Sequence, residues 1–320
     1  MSSSNRPTLA KQQPKFSVAI TTKGYRNLIN NTLGDPERAK RFIASITSAV
    51  AVNPALQDCD AGTILAGALL GESLNLSPSP QLGQYYLIPF ECRLKDSDGK
   101  TIWIMDENGK HVTDEKGKWV AATEMRAQIV LGYKGYIQLA LRSGHYADLD
   151  VMEIKEGEYL GRDPATGKPR FQFVEDDDVR DDMPVTGYMA FFEYLNGFRK
   201  VLYWSKQKMI KHADLYSPAY SSDAHKKILN GEIAERDMWK YSSFWYKDFD
   251  GMAKKTMLRQ LISRWGVMST ELQQAFVQDS KFAAIGDGNE IITTSEEHLP
   301  PPITQLETST VTENIDFSEL

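Results

Sequence analysis

Two stretches of this chain, about a hundred residues apart, interleave cations with flat aromatic rings. Residues 131–146 carry Tyr133, Lys134, Tyr136, Gln138, Arg142 and Tyr146; residues 250–265 carry Lys254, Lys255, Arg259, Arg264 and Trp265. Neither stretch holds a metal-ligand set, a nucleophile beside its base, or a phosphate loop. Cations beside ring faces, with no reacting group among them, suit a surface that grips an anionic strand and stacks its bases. The chemistry expected is the handling of single-stranded nucleic acid, not its cleavage or modification, and no catalytic residue is expected.

The sharper chemistries fail on spacing. Five residues separate Gly161 from Gly167 where a Walker loop has four, and Pro169 stands where Ser or Thr would hold Mg²⁺. The five histidines are scattered, with no His-x-x-x-His and no Cys-x-x-Cys, so neither a metal nor a cofactor is expected. A calcium loop near Asp96 is ruled out because Gly99 follows Asp98 too early for the ligand spacing. A metal-dependent nuclease would draw on Asp148, Asp150, Glu153 and Lys155. On a strand, however, Asp148 and Asp150 face one way while Glu153 and Lys155 face the other, which splits the set across the sheet.

The net charge of −6 argues against a nucleic-acid partner until its distribution is read. Residues 279–320 hold nine acids and one base, a net of −8; the rest of the chain is +2. Residues 239–266 carry +4 and residues 1–42 carry +6, while six acids crowd Glu175–Asp182. Basic stripes are thus separated from acidic blocks. The acidic block at 175–182 reads as solvated loop. Two cysteines, Cys59 and Cys92, make no disulfide framework and point to a reducing cytoplasm. The N-terminus has no apolar signal core, and the apolar run Thr63–Leu70 is far too short to cross a bilayer.

These residues must be positioned by a mixed framework. Residues 1–34 read as a flexible basic arm and 35–278 as the core. Asp35-Pro36 marks a helix start, with Ala39, Phe42, Ile43, Ile46 and Val50 at helical spacing behind it. A second helix is expected over 60–75 and a strand over 85–90. Residues 95–119 repeat Asp-x-x-Gly-Lys three times and read as an excursion of β-hairpins. Residues 124–131 alternate as a half-buried strand that exposes Arg126 and Gln128. A helix over 134–142 stops at Gly144, and a strand follows over 148–156. Asn196-Gly197 turns a hairpin between 185–195 and 198–204, and Ser205 caps the next helix. Helices dominate 224–278. Beyond Asp279 the acidic tail reads as disordered, so truncation there is expected to spare the fold. Helices, then a mostly antiparallel sheet, then helices make an α+β fold.

Within that framework Tyr133, Lys134 and Tyr136 open a helix, where free N–H groups favour a phosphate. Gln138 and Arg142 share a face of it. In the second stretch Lys255 and Arg259 share one face and Lys247 and Lys254, seven apart, another. Lys255 has Gly251 and Arg259 at its i±4 positions, so it is expected to be an exposed cation without a local acid.

Leu131-Gly-Tyr-Lys-Gly-Tyr-Ile-Gln-Leu-Ala-Leu-Arg-Ser-Gly and Met252-Ala-Lys-Lys-Thr-Met-Leu-Arg resemble the two signature stretches of the RecT family of phage single-strand annealing proteins. Leu74-Asn-Leu-Ser-Pro78, Tyr86-Leu-Ile-Pro-Phe90 and Val52-Asn-Pro-Ala-Leu-Gln-Asp-Cys59 support the likeness, which covers residues 35–280. The resemblance implies ATP-independent binding of single-stranded DNA and annealing of complements, helical or ring self-assembly, and a partner 5′→3′ exonuclease. A host single-strand binding protein is a further candidate partner, and the cytoplasm of a bacterial host the implied location. It also implies a sheet backed by helices with a narrow basic groove. Carried over, Arg126, Gln128, Tyr133, Lys134, Gln138, Arg142, Lys254, Lys255 and Arg259 become groove candidates. The 95–119 excursion, the 175–182 block and the tail find no counterpart in the family pattern.

Overall fold

The computed structural model describes residues 15–279 except 97, 115, 116, 218 and 242, together with 282–285 and 291–294. Two short helices, α1 (Phe16–Ala19) and α2 (Lys23–Leu33), open the described chain. They overturn the expected flexible arm for these residues. Phe16, Ala19, Ile20, Leu28 and Ile29 are buried in the core, an apolar set that the basic composition hid. Residues 1–14 lie outside the described residues.

The cap at Asp35 holds as read: its carboxylate accepts from Glu37 N–H at 2.9 Å and starts α3 (Pro36–Val52). Asp60 does the same for Thr63 N–H ahead of α4 (Ala61–Ser73). Helix α4 is apolar nearly all round and buried, as a helix covered on every side must be. It packs on the antiparallel pair β1 (Tyr85–Arg93) and β2 (Thr123–Leu131), whose register sets Tyr85 opposite Leu131 and Arg93 opposite Thr123. Thr63 Oγ1 accepts from the Ala127 N–H at 2.9 Å and ties helix to sheet.

Between β1 and β2 the excursion is β-rich, as its turns suggest, and its backbone closes on itself twice. Leu94 N–H donates to Ala122 O, Ala122 N–H to Ile102 O, and Ile102 N–H back to Leu94 O, at 2.8–2.9 Å. Ile104, Val120 and Val112 form a second triangle in the same way at 2.8–2.9 Å. Three hairpins radiate from these triangles. At their tips Asp96 and Asp106 each accept from N–H groups two and four residues on, and Asp114 accepts from Lys118 N–H.

Helix α5 (Tyr133–Arg142) leads into β3 (Tyr146–Lys155). The small ribbon β4 (Tyr159–Arg162) and β5 (Pro169–Phe171) and the short helix α6 (Asp177–Asp182) intervene before the hairpin β6 (Val185–Tyr194) and β7 (Arg199–Ser205). The order β3-β6-β7 makes a three-stranded antiparallel sheet. The expected solvated loop at 175–182 is helical from Asp177. Its one base, Arg180, turns inward onto buried Glu158 at 2.6 Å.

The helical remainder is α7 (Lys206–Tyr216), α8 (Ser222–Leu229), α9 (Phe244–Lys247), α10 (Phe249–Trp265) and α11 (Thr270–Gln278). Helix α10 crosses β3, β6 and β7 and lies beside α5, so it joins the two sheets. Strand β8 (Phe282–Ile285) pairs with β2 at Gln128 and with β9 (Ile291–Thr294). The fold is α+β with antiparallel sheets. Its boundary differs from the reading at 278: Asp279 is a buried part of the core and 282–285 extend the sheet, so a truncation there would remove residues of the sheet. Beyond 279, the residues other than 282–285 and 291–294 lie outside the described residues.

Candidate nucleic-acid interface

The first aromatic-cationic stretch becomes the loop and helix that face outward between the two sheets. Gly132 caps α5 with no side chain, and its N–H donates to Gln84 O at 2.9 Å. A methyl at Gly132 would stand 2.1 Å from Gly83 O, and one at Gly135 2.2 Å from Gln84 O. Only glycine lets the 83–84 main chain lie this close to the helix start. The same helix turns Lys134, Gln138 and Arg142 outward, at i, i+4 and i+8, as one exposed stripe. Lys134 and Gln138 have no hydrogen-bond or ion-pair partner among the described residues. Arg142 is fixed in place: its guanidinium donates to Leu74 O at 2.9 Å and Asn75 O at 3.0 Å.

Beside the stripe, half-buried Tyr133 lies under the Lys254 ammonium, 5.6 Å from its ring centroid. Lys254 also pairs with Glu153 at 2.7 Å. Burial opposes the Lys254 charge, but Glu153 outweighs it and holds the ammonium above the ordinary lysine value. Lys254 therefore stays a cation. Tyr133 also walls a small cleft with Tyr86, Phe244 and Met252, floored by Gly132 and Gly251. The Tyr86 and Phe244 rings sit 5.2 Å apart. Cations beside half-buried rings that line a cleft fit the chemistry of strand binding and base stacking.

The structure does not bring all the expected residues to this surface. Lys255 is 6% exposed and not a free surface cation. Its ammonium donates to Asp279 at 3.0 Å, and Arg259 meets the same carboxylate at 2.8 Å. Tyr136 is fully buried and donates its hydroxyl to Asp279 at 2.8 Å; the Leu131 N–H completes the cradle at 3.0 Å. Burial would raise the Asp279 carboxyl, yet Lys255, Arg259 and the Leu131 N–H together carry it below the usual carboxylate range. Burial also pulls Lys255 below the ordinary lysine value, against the upward pull of Asp279. The acid that the i±4 positions lacked is supplied from 24 residues downstream.

Other expectations move too. Gln128 is 2% exposed, not on a wet face, because β8 pairs alongside β2 at this position. Its Nε2 has no hydrogen-bond partner among the described residues. Arg126 is half-buried and pairs with Glu124. Lys247 is exposed but ends α9, whereas Lys254 sits in α10. Asp248 breaks the two helices by capping Gly251 N–H at 2.9 Å, so the seven-residue spacing does not put the two lysines on one face.

Sequence reasoning missed a third basic stretch. Residues 199–211 hold Arg199, Lys200, Lys206, Lys208 and Lys211 with no acid among them. Lys208 lies 4.4 Å over Trp204, and Lys200 4.5 Å over Trp265. The signal was the same alternation of cation and ring that marks the other two stretches. Tyr86 and Phe244 were missed as well. Tyr86 lay within a stretch already matched to the family, and no local pattern marks Phe244.

Among the described residues no group of three or more His, Cys, Asp or Glu side chains could hold a metal ion. Among the described residues no helix is long and apolar enough to cross a membrane. The sequence model of the RecT family matches residues 40–293. The chain is 31% identical over 245 residues to the uncharacterized protein YqaK of Bacillus subtilis, covering 77% of this chain and 66% of YqaK. It is 25% identical over 249 residues to protein RecT of Escherichia coli, covering 76% of this chain and 72% of RecT. The expected resemblance therefore stands: this chain belongs to the RecT family, and that membership supports a role in single-strand annealing and DNA recombination.

Proposed function

We propose that this protein binds single-stranded DNA along the outer face of α5 and anneals it to a complementary strand without ATP. The observation that carries the reading is the Lys134–Gln138–Arg142 stripe, set beside Tyr133 and Lys254. Unpartnered or main-chain-anchored cations there can take phosphates, and the Tyr86, Tyr133 and Phe244 rings can take bases. Lys255, Arg259, Tyr136 and Gln128 act from beneath, holding this face in shape. In this reading Lys247 and the lysines of 199–211 add further cations for the strand. Annealing needs no fuel, since each stacked base-pair step supplies roughly 1.4 kcal/mol. The protein need only hold one strand extended while a complement tests its register.

The same reading includes self-assembly into helices or rings, an exonuclease that exposes the strand, exchange with a host single-strand binding protein, and a place in the cytoplasm. The test is to mix two complementary oligonucleotides with the full chain, without ATP, and follow duplex formation and particle size. Accelerated duplex formation on large particles is expected, with an affinity that falls steeply as salt rises. Strand binding without acceleration would reduce the protein to a coating protein, and Mg²⁺-dependent shortening of the strand would make it a nuclease.

A further inference from the structure

A polar groove opens on the far flank of the loop that supports α5. It lies between α3 and residues 74–84 and is lined by Arg38, Arg41, Ser45, Asn75, Ser77 and Gln84, among others. Its volume is about 580 Å³. Arg38 is engaged with Glu72 at 2.7 Å, which also neutralises the one acid in the lining. Arg41 is exposed and has no hydrogen-bond or ion-pair partner among the described residues. The groove thus presents one uncompensated guanidinium, with hydroxyl and amide groups around it. That set matches a sugar–phosphate chain better than an apolar ligand.

The groove touches the α5 stripe at both of its ends. At one end Gln84 lines the groove while its neighbour Gly83 lies against the Lys134 side chain. At the other, Asn75 lines the groove while its carbonyl accepts from Arg142. Asn75 is the one non-glycine residue with positive φ, at 51°, among the described residues. That left-handed turn ends α4 and bends the loop so that one side of it carries Arg142 and the other side faces Arg41. A strand following Lys134, Gln138 and Arg142 therefore meets Asn75 and then Arg41.

We propose that this groove is a second segment of the single-strand path, in which Arg41 takes a backbone phosphate of a strand arriving along α5. The inference rests on the α5 reading above and extends it to α3. Arg41 is an exposed helix position, so Ala and Glu are both compatible with the fold.

The test compares the full chain with Arg41→Ala, Arg41→Glu and Lys134→Ala. It measures binding to a thirty-nucleotide oligo-dT across a salt series, with particle size measured without DNA. The inference expects Arg41→Ala and Lys134→Ala each to reduce the salt slope by about 0.7, the share of one phosphate on a single strand. Arg41→Glu should weaken binding further, by about tenfold at low salt. If Lys134→Ala lowers the slope but both Arg41 variants bind like the parent, the groove is overturned and the α5 reading survives. If Lys134→Ala also has no effect, the α5 reading itself fails. If Arg41→Glu dissociates the DNA-free particles and leaves affinity per protomer intact, the groove is a contact between copies and the inference is overturned.

Discussion

Asp279 gathers groups from three elements onto a single fully buried carboxylate: the Leu131 N–H of β2, the Tyr136 hydroxyl of α5, and the Lys255 and Arg259 side chains of α10. Removing one partner of a buried pair leaves a charge with neither water nor a counter-ion, which typically costs about 3–5 kcal/mol. Asp279→Ala should therefore destabilise the protein by about that much, read as a lower urea midpoint at neutral pH. A midpoint within error of the parent would mean that the cradle does not hold the fold. Lys255 looks like a surface lysine in the sequence because its neighbours at i±4 are Gly251 and Arg259. Its true partner is brought to it by the packing of α11 against α5, which no window of sequence around Lys255 contains. Long-range charge pairing is invisible to helical spacing, which is why Lys255 reads as a surface cation in the sequence.

At the scale of elements, local chemistry was readable. Asp35-Pro36 and Asp60 start helices because a carboxylate can satisfy the first free N–H groups. Asn196-Gly197 turns β6 into β7 because Gly197 takes φ 82°. The two short N-terminal helices were not readable, because Phe16, Leu28 and Ile29 are few and set among polar and basic residues. The Asp-x-x-Gly-Lys repeat gave the hairpins of the excursion but not their closure into two hydrogen-bonded triangles. That closure makes a further expectation. The Leu94 N–H and Ala122 O are 2.8 Å apart, so the excursion leaves and rejoins the sheet at one point. Replacing residues 95–121 by an Asn-Gly turn should preserve a cooperative thermal transition and oligo-dT binding within about twofold, as loop exchanges between close ends are tolerated. Loss of binding in a folded variant would place the excursion in the DNA path.

Acid should act on the whole molecule through its buried carboxylates. Asp279 lies below the ordinary aspartate value, as explained above. In Glu158, burial pushes upward, but Arg180 and the Lys155 and Val174 N–H groups bring the carboxyl below the ordinary glutamate value. A carboxyl depressed in the folded state contributes stability above its unfolded pKa, about 4, and loses it as pH falls through the folded value. The urea midpoint should therefore change little through these two groups between pH 7 and 5 and decline below about pH 4. Asp279→Asn should start lower and lose less on acidification. A parental midpoint that holds steady to pH 2 would exclude this linkage.

The distance along the chain between Asp279 and Leu131 also sets an order of events during synthesis. The carboxylate that organises β2, α5 and α10 is 148 residues downstream of the first group it holds. A nascent chain can form α3, α4 and the β1–β2 excursion from local contacts, but it carries Lys255 and Arg259 without their counter-ion until Asp279 leaves the ribosome. The surface proposed for the strand is thus completed last. A chain arrested before Asp279 would carry both cation-aromatic stretches without the carboxylate that ties β2, α5 and α10 together.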